Sequence, residues 1–390
     1  MNAQSIADQP ALTDETTLSE VLDVLTETIP IEMKGNFQPS SLFEVLLHAA
    51  CNECSIEQSS RELENVPTGN AIRHHINKLD DVDELEDYLN NALAAKMPGR
   101  LQNTKQRIAV DYNLIPYYGE PTEEEAPYII RSQAKDGTSS FYAYATAYVI
   151  SKGKRITLAL HAIRKDETTV AVLTHPLDRF SRANICIKQL FMDRGFYSVP
   201  VIRWLQACEI PFLMPAIIRG KQGGTRALVN RKQTHKYSYT MKSPLYGSVT
   251  FDIFIVGTYH KDKDGNRIVK YLAFAAFNLS FSIRSLPHLY RTRFGVECSY
   301  RQKNLCRIRS TSKNPATRLL YVGIAFLIVN LWTFIVWSFL SHPRRGQRLS
   351  YPDLFPLQSM LAFLRQAIEK HLGTVSAIFL PQPPPQSHPL

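Results

Sequence analysis

The sequence predicts an α/β (mixed α+β) protein with an all-α N-terminal domain, a mixed sheet flanked by helices, and a β-rich insertion in that sheet. Three observations predict it. Residues 38–104 carry apolar residues at helical spacing, residues 105–218 alternate strand-like and helical runs, and residues 219–282 hold further alternating runs around a tight turn. At 390 residues with 44% hydrophobic content, the chain has the size and composition of a globular protein of two or three domains.

Taken in order, residues 1–37 show little periodicity beyond a helix at Leu18–Leu25 and read as a flexible segment. In residues 38–104, SSLFEVLLHAACNE has helical spacing, and SIEQSSRELENVPTGNAIRHHINKL reads as helix, turn, helix. Ser55 with Gln58 three residues on fits a capping box, the turn falls near Asn65–Pro67, and Thr68 caps the second helix. A DNA-binding helix-turn-helix would lay that second helix, with Arg73 and Lys78, in the major groove. The alternative is an ordinary helical hairpin, and the segment is acidic. Adjacent His74 and His75 diverge on a helix and make no metal pair.

Residues 105–218 begin with a strand at Gln106–Leu114. FYAYATAYVI and RITLALHAI follow as antiparallel strands around SKGK, with Phe141, Tyr142, Tyr144 and Tyr148 as sheet packing. Ile187–Met192 is another apolar strand, Pro200–Cys208 a helix, and IPFLMPAI a last strand. Residues 219–282 open with a basic, poorly periodic loop carrying Arg226, Arg231 and Lys232, suited to tracking phosphates or to simple solvation. Two strands joined by KDKDG follow. Residues 283–341 read as helices. Residues 342–390 form a tail, basic at first, with a helix at Leu357–His371 and a Pro-rich end.

The chemistry concentrates in HLYRTRFGVECSYRQKNL. On one helix, Tyr290, Arg293, Glu297 and Arg301 fall within roughly 80° of each other. A carboxylate among cations stays ionised and can hold a divalent metal, while the cations and the aromatic ring suit a phosphate. Two upstream acids fit with it. Asp111 ends the buried run of RIAVDYNLIPYYG, and Asp193 ends that of CIKQLFMDRGFYS. Such carboxylates suit Mg²⁺, and two ions can stabilise both oxygens of an in-line displacement. Asp178 in HPLDRF competes for the second role but follows no clear strand. Glu120, Glu123, Glu124 and Glu125 read as a solvated loop.

In VDYN, MDRGF and YRTRFGVE the chain resembles the DDE transposases of prokaryotic insertion sequences, in the subgroup with a Tyr-(2)-Arg-(3)-Glu-(6)-Lys signature. The resemblance spans roughly residues 105–341, with the acids 82 and 104 residues apart. It implies an RNase H-like core whose strand order matches the one read above. It implies Asp111, Asp193 and Glu297 as catalytic residues holding two Mg²⁺ or Mn²⁺ ions, and DNA contacts by Tyr290 and Arg293. The signature lysine falls on Asn304, so its role passes to Arg301 or Lys303. It also implies double-stranded DNA partners (the element's inverted repeats and a target), a homodimer on DNA, and no small-molecule cofactor. The 22 mostly apolar residues 319–340 are long enough to span a bilayer. In the resembled fold this stretch is a buried core helix, and a membrane reading leaves the acids unexplained.

Charge agrees. Residues 1–100 hold 18 acids and 6 bases, whereas residues 101–390 hold 17 acids and 39 bases. A basic catalytic portion suits a polyanion. The six cysteines are scattered, with Cys51 and Cys54 a core pair short of the four ligands a zinc site needs. With a polar, acidic N-terminus, this suggests a cytoplasmic, nucleoid-associated protein. The alternatives are a metal-dependent nuclease or resolvase without strand transfer, or an inactive DNA-binding repressor copy.

Overall fold

The computed structural model describes residues 11–33, 37–151, 154–221, 223–344 and 347–378; the side chains of residues 151, 154, 155, 294–298, 347 and 348 lie outside the described ones. The Pro-rich end falls outside as well.

Five helices come first: α1 (Asp14–Thr28), α2 (Pro39–Cys51), α3 (Ile56–Glu62), α4 (Gly69–Ile76) and α5 (Val82–Ala95). The Thr13 side chain caps α1, which buries Leu18, Val21, Val24 and Leu25. Residues 14–28 are therefore not the flexible segment expected of 1–37. Their partner is α12 (Leu357–Leu372), which the sequence reading left in a C-terminal tail. Both helices are short amphipathic stripes, and each gives the other an apolar face to cover. Lys370 Nζ also lies 2.6 Å from Asp14 Oδ2.

Ser55 and Thr68 cap α3 and α4 as expected, accepting from Gln58 N at 3.1 Å and Ala71 N at 3.2 Å. On α4, Arg73 is engaged by Glu57 Oε2 at 3.0 Å, His75 by the Glu32 carbonyl at 2.8 Å, and Ile72 and Ile76 are buried. Lys78 is exposed beyond the helix end.

The sheet begins with β1 (Lys105–Pro116), β2 (Ile129–Lys135), β3 (Thr138–Ser151) and β4 (Lys154–Ala162). Helix α6 (Thr169–Arg182) leads to β5 (Cys186–Met192), and α7 (Val199–Ala207) to β6 (Phe212–Pro215). β1 pairs antiparallel with β3 and parallel with β5, β3 pairs with β2 and β4, and β5 pairs parallel with β6. Past β6 come α8 (Gly224–Asn230), β7 (His235–Ser243), β8 (Gly247–Lys261) and β9 (Arg267–Phe277). β9 pairs with β6, so the insertion continues the core sheet, which has nine strands among the described residues. The segment read as an aperiodic basic loop is in fact α8 and β7. Its signal was the alternation of Tyr237, Tyr239 and Met241. Glu125 is likewise no solvated acid. It is buried, accepting from Tyr117 Oη at 2.7 Å and Thr122 N at 3.1 Å.

After the sheet come α9 (Leu286–Arg291), α10 (Gly295–Asn304) and α11 (Pro315–Phe339), then a hairpin of β10 (Ser341–Arg344) and β11 (Gln347–Ser350) before α12. The best 18-residue stretch of α11 has mean hydropathy 2.3 and is 83% buried inside the protein. It is the buried core helix expected. Gly323 allows it to meet α5, since a Cβ there would lie 2.5 Å from Leu89 Cδ2.

Asn330 of α11 accepts from Thr157 N at 2.9 Å and donates to Thr157 O at 2.6 Å and Leu93 O at 3.2 Å. Asn90 of α5 does the same for Leu160, accepting from its N at 2.8 Å and donating to its O at 2.9 Å. Glu86 accepts from Ala162 N at 2.8 Å. These side chains stand in for a further strand along the outer edge of β4, satisfying backbone groups that would otherwise be buried unpaired.

Candidate active site

Parallel pairing of β1 with β5 builds the site. Val110 lies opposite Met192, where the β1–β5 pairing ends, so Asp111, midway along β1, and Asp193, just past β5, emerge side by side. Neighbouring strands run about 4.8 Å apart, close enough for two carboxylates to share a cation. Asp111 Oδ1 accepts from its neighbour Tyr112 N at 2.9 Å, and Oδ2 accepts from Arg293 Nη1 at 3.0 Å. Asp193 begins a 3-10 turn at 194–196, its Oδ1 accepting from Arg194 N at 2.7 Å.

Burial raises the Asp111 carboxyl above its ordinary value against the pull of Arg293, and the charge of Asp193 adds to the rise. Burial alone would lower the Arg293 guanidinium, but Tyr290, Asp111 and Asp193 outweigh it and raise it. The pair thus holds concentrated negative charge that one arginine offsets only in part. Cation-seeking carboxylates have this character.

Arg293 and Tyr290 reach the pair from α9 and the turn after it. Tyr290 is buried; its hydroxyl donates to Met192 O at 3.2 Å, and the Arg293 Cζ lies 5.2 Å from its ring centroid. Tyr148 donates to the Arg293 carbonyl at 2.9 Å. One straight helix through 290–301 is not what forms. α9 ends at Arg291, a 3-10 turn covers Thr292–Phe294, and α10 starts at Gly295. The tighter turn resets the rotation, so Tyr290 and Arg293 face the sheet while Arg301 is exposed and Lys303 buried. Glu297 lies in the first turn of α10, with its side chain outside the described ones.

The transposase DDE domain family matches residues 102–331, more than half of the chain. The chain belongs to this family. Among solved structures, the transposase is similar to a piggyBac transposase in a synaptic complex with hairpin DNA, with TM-score 0.56, 10% identity, and 96% of this chain and 84% of that one covered. At that identity the likeness is one of fold. No curated protein is significantly similar in sequence. The strand order β4-β3-β1-β5-β6 is that of the RNase H-like core, with β7–β9 added beyond it.

Beside Asp111 the transposase has a pocket of about 590 Å³ between the end of β1, α10 and α11. Asn113, Tyr300, Lys303, Asn304, Arg307 and Arg318 line it. Tyr300 bonds Thr146 on β3 at 2.7 Å, which fixes α10 against the sheet. Lys303 Nζ lies 5.8 Å from the Phe326 ring, and burial with repulsion from Arg307 pushes its ammonium down to about 8. Sequence reading missed Asn113, Tyr300, Arg307 and Arg318.

The other predicted DNA contacts lie apart from the acids. Arg226, Arg231 and Lys232 are exposed near the far edge of the sheet: Arg226 Nε donates to Gly220 O at 2.6 Å, and Arg231 stacks 5.1 Å from the Tyr237 ring. Arg73 lies on α4, and Lys78 in the turn between α4 and α5.

Proposed function

We propose that this transposase binds the terminal inverted repeats of its insertion sequence and carries out DNA cleavage and strand transfer at Asp111, Asp193 and Glu297. The observation that carries this reading is the acid pair where the parallel pairing of β1 with β5 ends, in the domain matched by the family. The donor set fits Mg²⁺ or Mn²⁺: hard oxygens, one already beside a cationic guanidinium that a metal's charge can replace. Asp111, Asp193 and Glu297 would hold two such ions, which would activate water and stabilise the oxyanions of phosphoryl transfer.

The chain's own residues do the rest. Arg293 keeps Asp111 ionised, and Tyr290 fixes the β5 end through Met192 O. Lys303, Arg307 and Arg318 grip backbone phosphates in the neighbouring pocket, with Lys303 taking the role of the lysine missing at Asn304. Arg301 is exposed on the same helix and contacts flanking DNA. Arg226, Arg231 and Lys232 extend the footprint, and two copies pair two element ends.

The test is incubation of labelled element-end DNA with a target plasmid and Mg²⁺ or Mn²⁺. End cleavage and joined product are the expected result. Cleavage without joining would instead support the nuclease alternative, and binding alone the repressor alternative.

A further inference from the structure

A second cavity shares Tyr321 as a wall with the pocket beside Asp111. Its volume is about 270 Å³, and it opens between α4 and the turn that joins α10 to α11. Arg73, Arg309, Thr311, Ser312 and Thr317 line it, and no carboxylate does among the described residues.

The turn is held firmly through its backbone. Arg309 N donates to Cys54 O at 2.9 Å, Ser312 N to Ser310 Oγ at 3.0 Å, and Asn314 N to Ser312 Oγ at 3.2 Å. Arg318 Nε donates to Ser312 O at 2.5 Å, and Tyr142 of β3 donates to Lys313 O. These bonds fix the turn and leave its cation free. Glu57 offsets Arg73 at 3.0 Å, whereas the exposed Arg309 guanidinium has no ion pair or hydrogen bond among the described residues. Tyr321 is only 7% exposed, yet its hydroxyl also has no hydrogen-bond partner among the described residues. Burial pushes this phenol up to about 12, while Arg73 and Arg318 draw it back, so an arginine acts on it from each cavity. A buried hydroxyl ordinarily finds a partner. Guanidiniums and hydroxyls with no facing carboxylate offer charge-assisted donors to an oxyanion.

Resting on the reading of the neighbouring pocket as DNA-bound, we propose that Arg309, Arg73, Thr311 and Tyr321 form a phosphate site, filled by a backbone phosphate of the same DNA. A strand that passes Arg307 and Arg318 meets this cavity next, across Tyr321. α4 then meets DNA through its backbone rather than by reading bases in the major groove.

The test uses full-length protein. Arg309→Ala removes an exposed side chain, and Tyr321→Phe keeps the wall while deleting the hydroxyl. Binding to element-end and unrelated duplexes is measured against salt, then with a neutral methylphosphonate at each linkage in turn. Arg309→Ala should weaken binding to both duplexes by the same factor and shrink the salt slope by about one. Tyr321→Phe should lose less, in the same direction. One methylphosphonate should weaken wild type severalfold and leave Arg309→Ala unchanged. Thermal melting in inorganic phosphate, against chloride at equal ionic strength, tests the other source. Protection of wild type but not of Arg309→Ala, with equal DNA binding, assigns the site to free phosphate. If wild type binds no DNA, the transposase reading fails and the melting arm alone decides the site. Both variants equal to wild type in every arm overturn the proposal.

Discussion

The sheet carries buried polar side chains at two places and treats them in opposite ways. Along the outer edge of β4, the amides of Asn90 and Asn330 both accept from and donate to single residues of the strand. Every bond is returned, and the result is a sealed junction between helix and sheet. Where β1 and β5 part, Asp111 is raised by burial and by its neighbour Asp193, with Arg293 offsetting only part. Among the described residues a basic pocket opens beside it. Complete satisfaction marks scaffold, and incomplete satisfaction marks a place waiting for a ligand.

Substitutions at the two places should therefore fail differently. Asp111→Asn or Glu297→Gln should lower end cleavage at least about 10³-fold while leaving the melting temperature near that of wild type, as paired activity and calorimetry would check. Asn330→Leu should do the reverse, losing stability first. It orphans Thr157 N–H and its carbonyl at a cost of about 1–3 kcal/mol each, measurable by urea unfolding.

A finer separation comes from Lys303. With its ammonium near 8, it is cationic below that pH and neutral above it. Its share of DNA affinity should be present at pH 7 and lost by pH 9, and Lys303→Met should be flat across that range. The salt slope of binding at pH 7 should shrink by about one in the variant. For folding the sign differs: between about 8 and the ordinary 10.5 the unfolded chain binds the extra proton, so this lysine makes stability rise with pH there. The smallest effect belongs to Gly323→Ala, which crowds Leu89 and should cost about 1–3 kcal/mol in unfolding without touching cleavage chemistry.

Much of the core was legible because apolar runs such as Ile108–Val110 and Leu190–Met192 are buried on both faces, a pattern composition cannot hide. The acids were legible because each ends such a run. The helices at Leu18–Leu25 and Leu357–His371 were legible too, but not that α1 and α12 pack on each other, since the two stripes lie over 300 residues apart in sequence. Residues 290–301 deceived for a local reason: a 3-10 turn interrupts the helical count, placing Lys303 inside and Arg301 outside.

The most direct test of the account compares Asp193→Ala with Asp178→Ala in Mg²⁺-dependent cleavage of labelled element-end DNA. Asp178 lies on α6, away from the β5 end, and offers the nearest rival acid in sequence. The account predicts that Asp193→Ala abolishes cleavage while still binding DNA, and that Asp178→Ala cleaves like wild type. Retained cleavage by Asp193→Ala, or its loss in Asp178→Ala with the fold intact, would contradict the assignment of the catalytic pair.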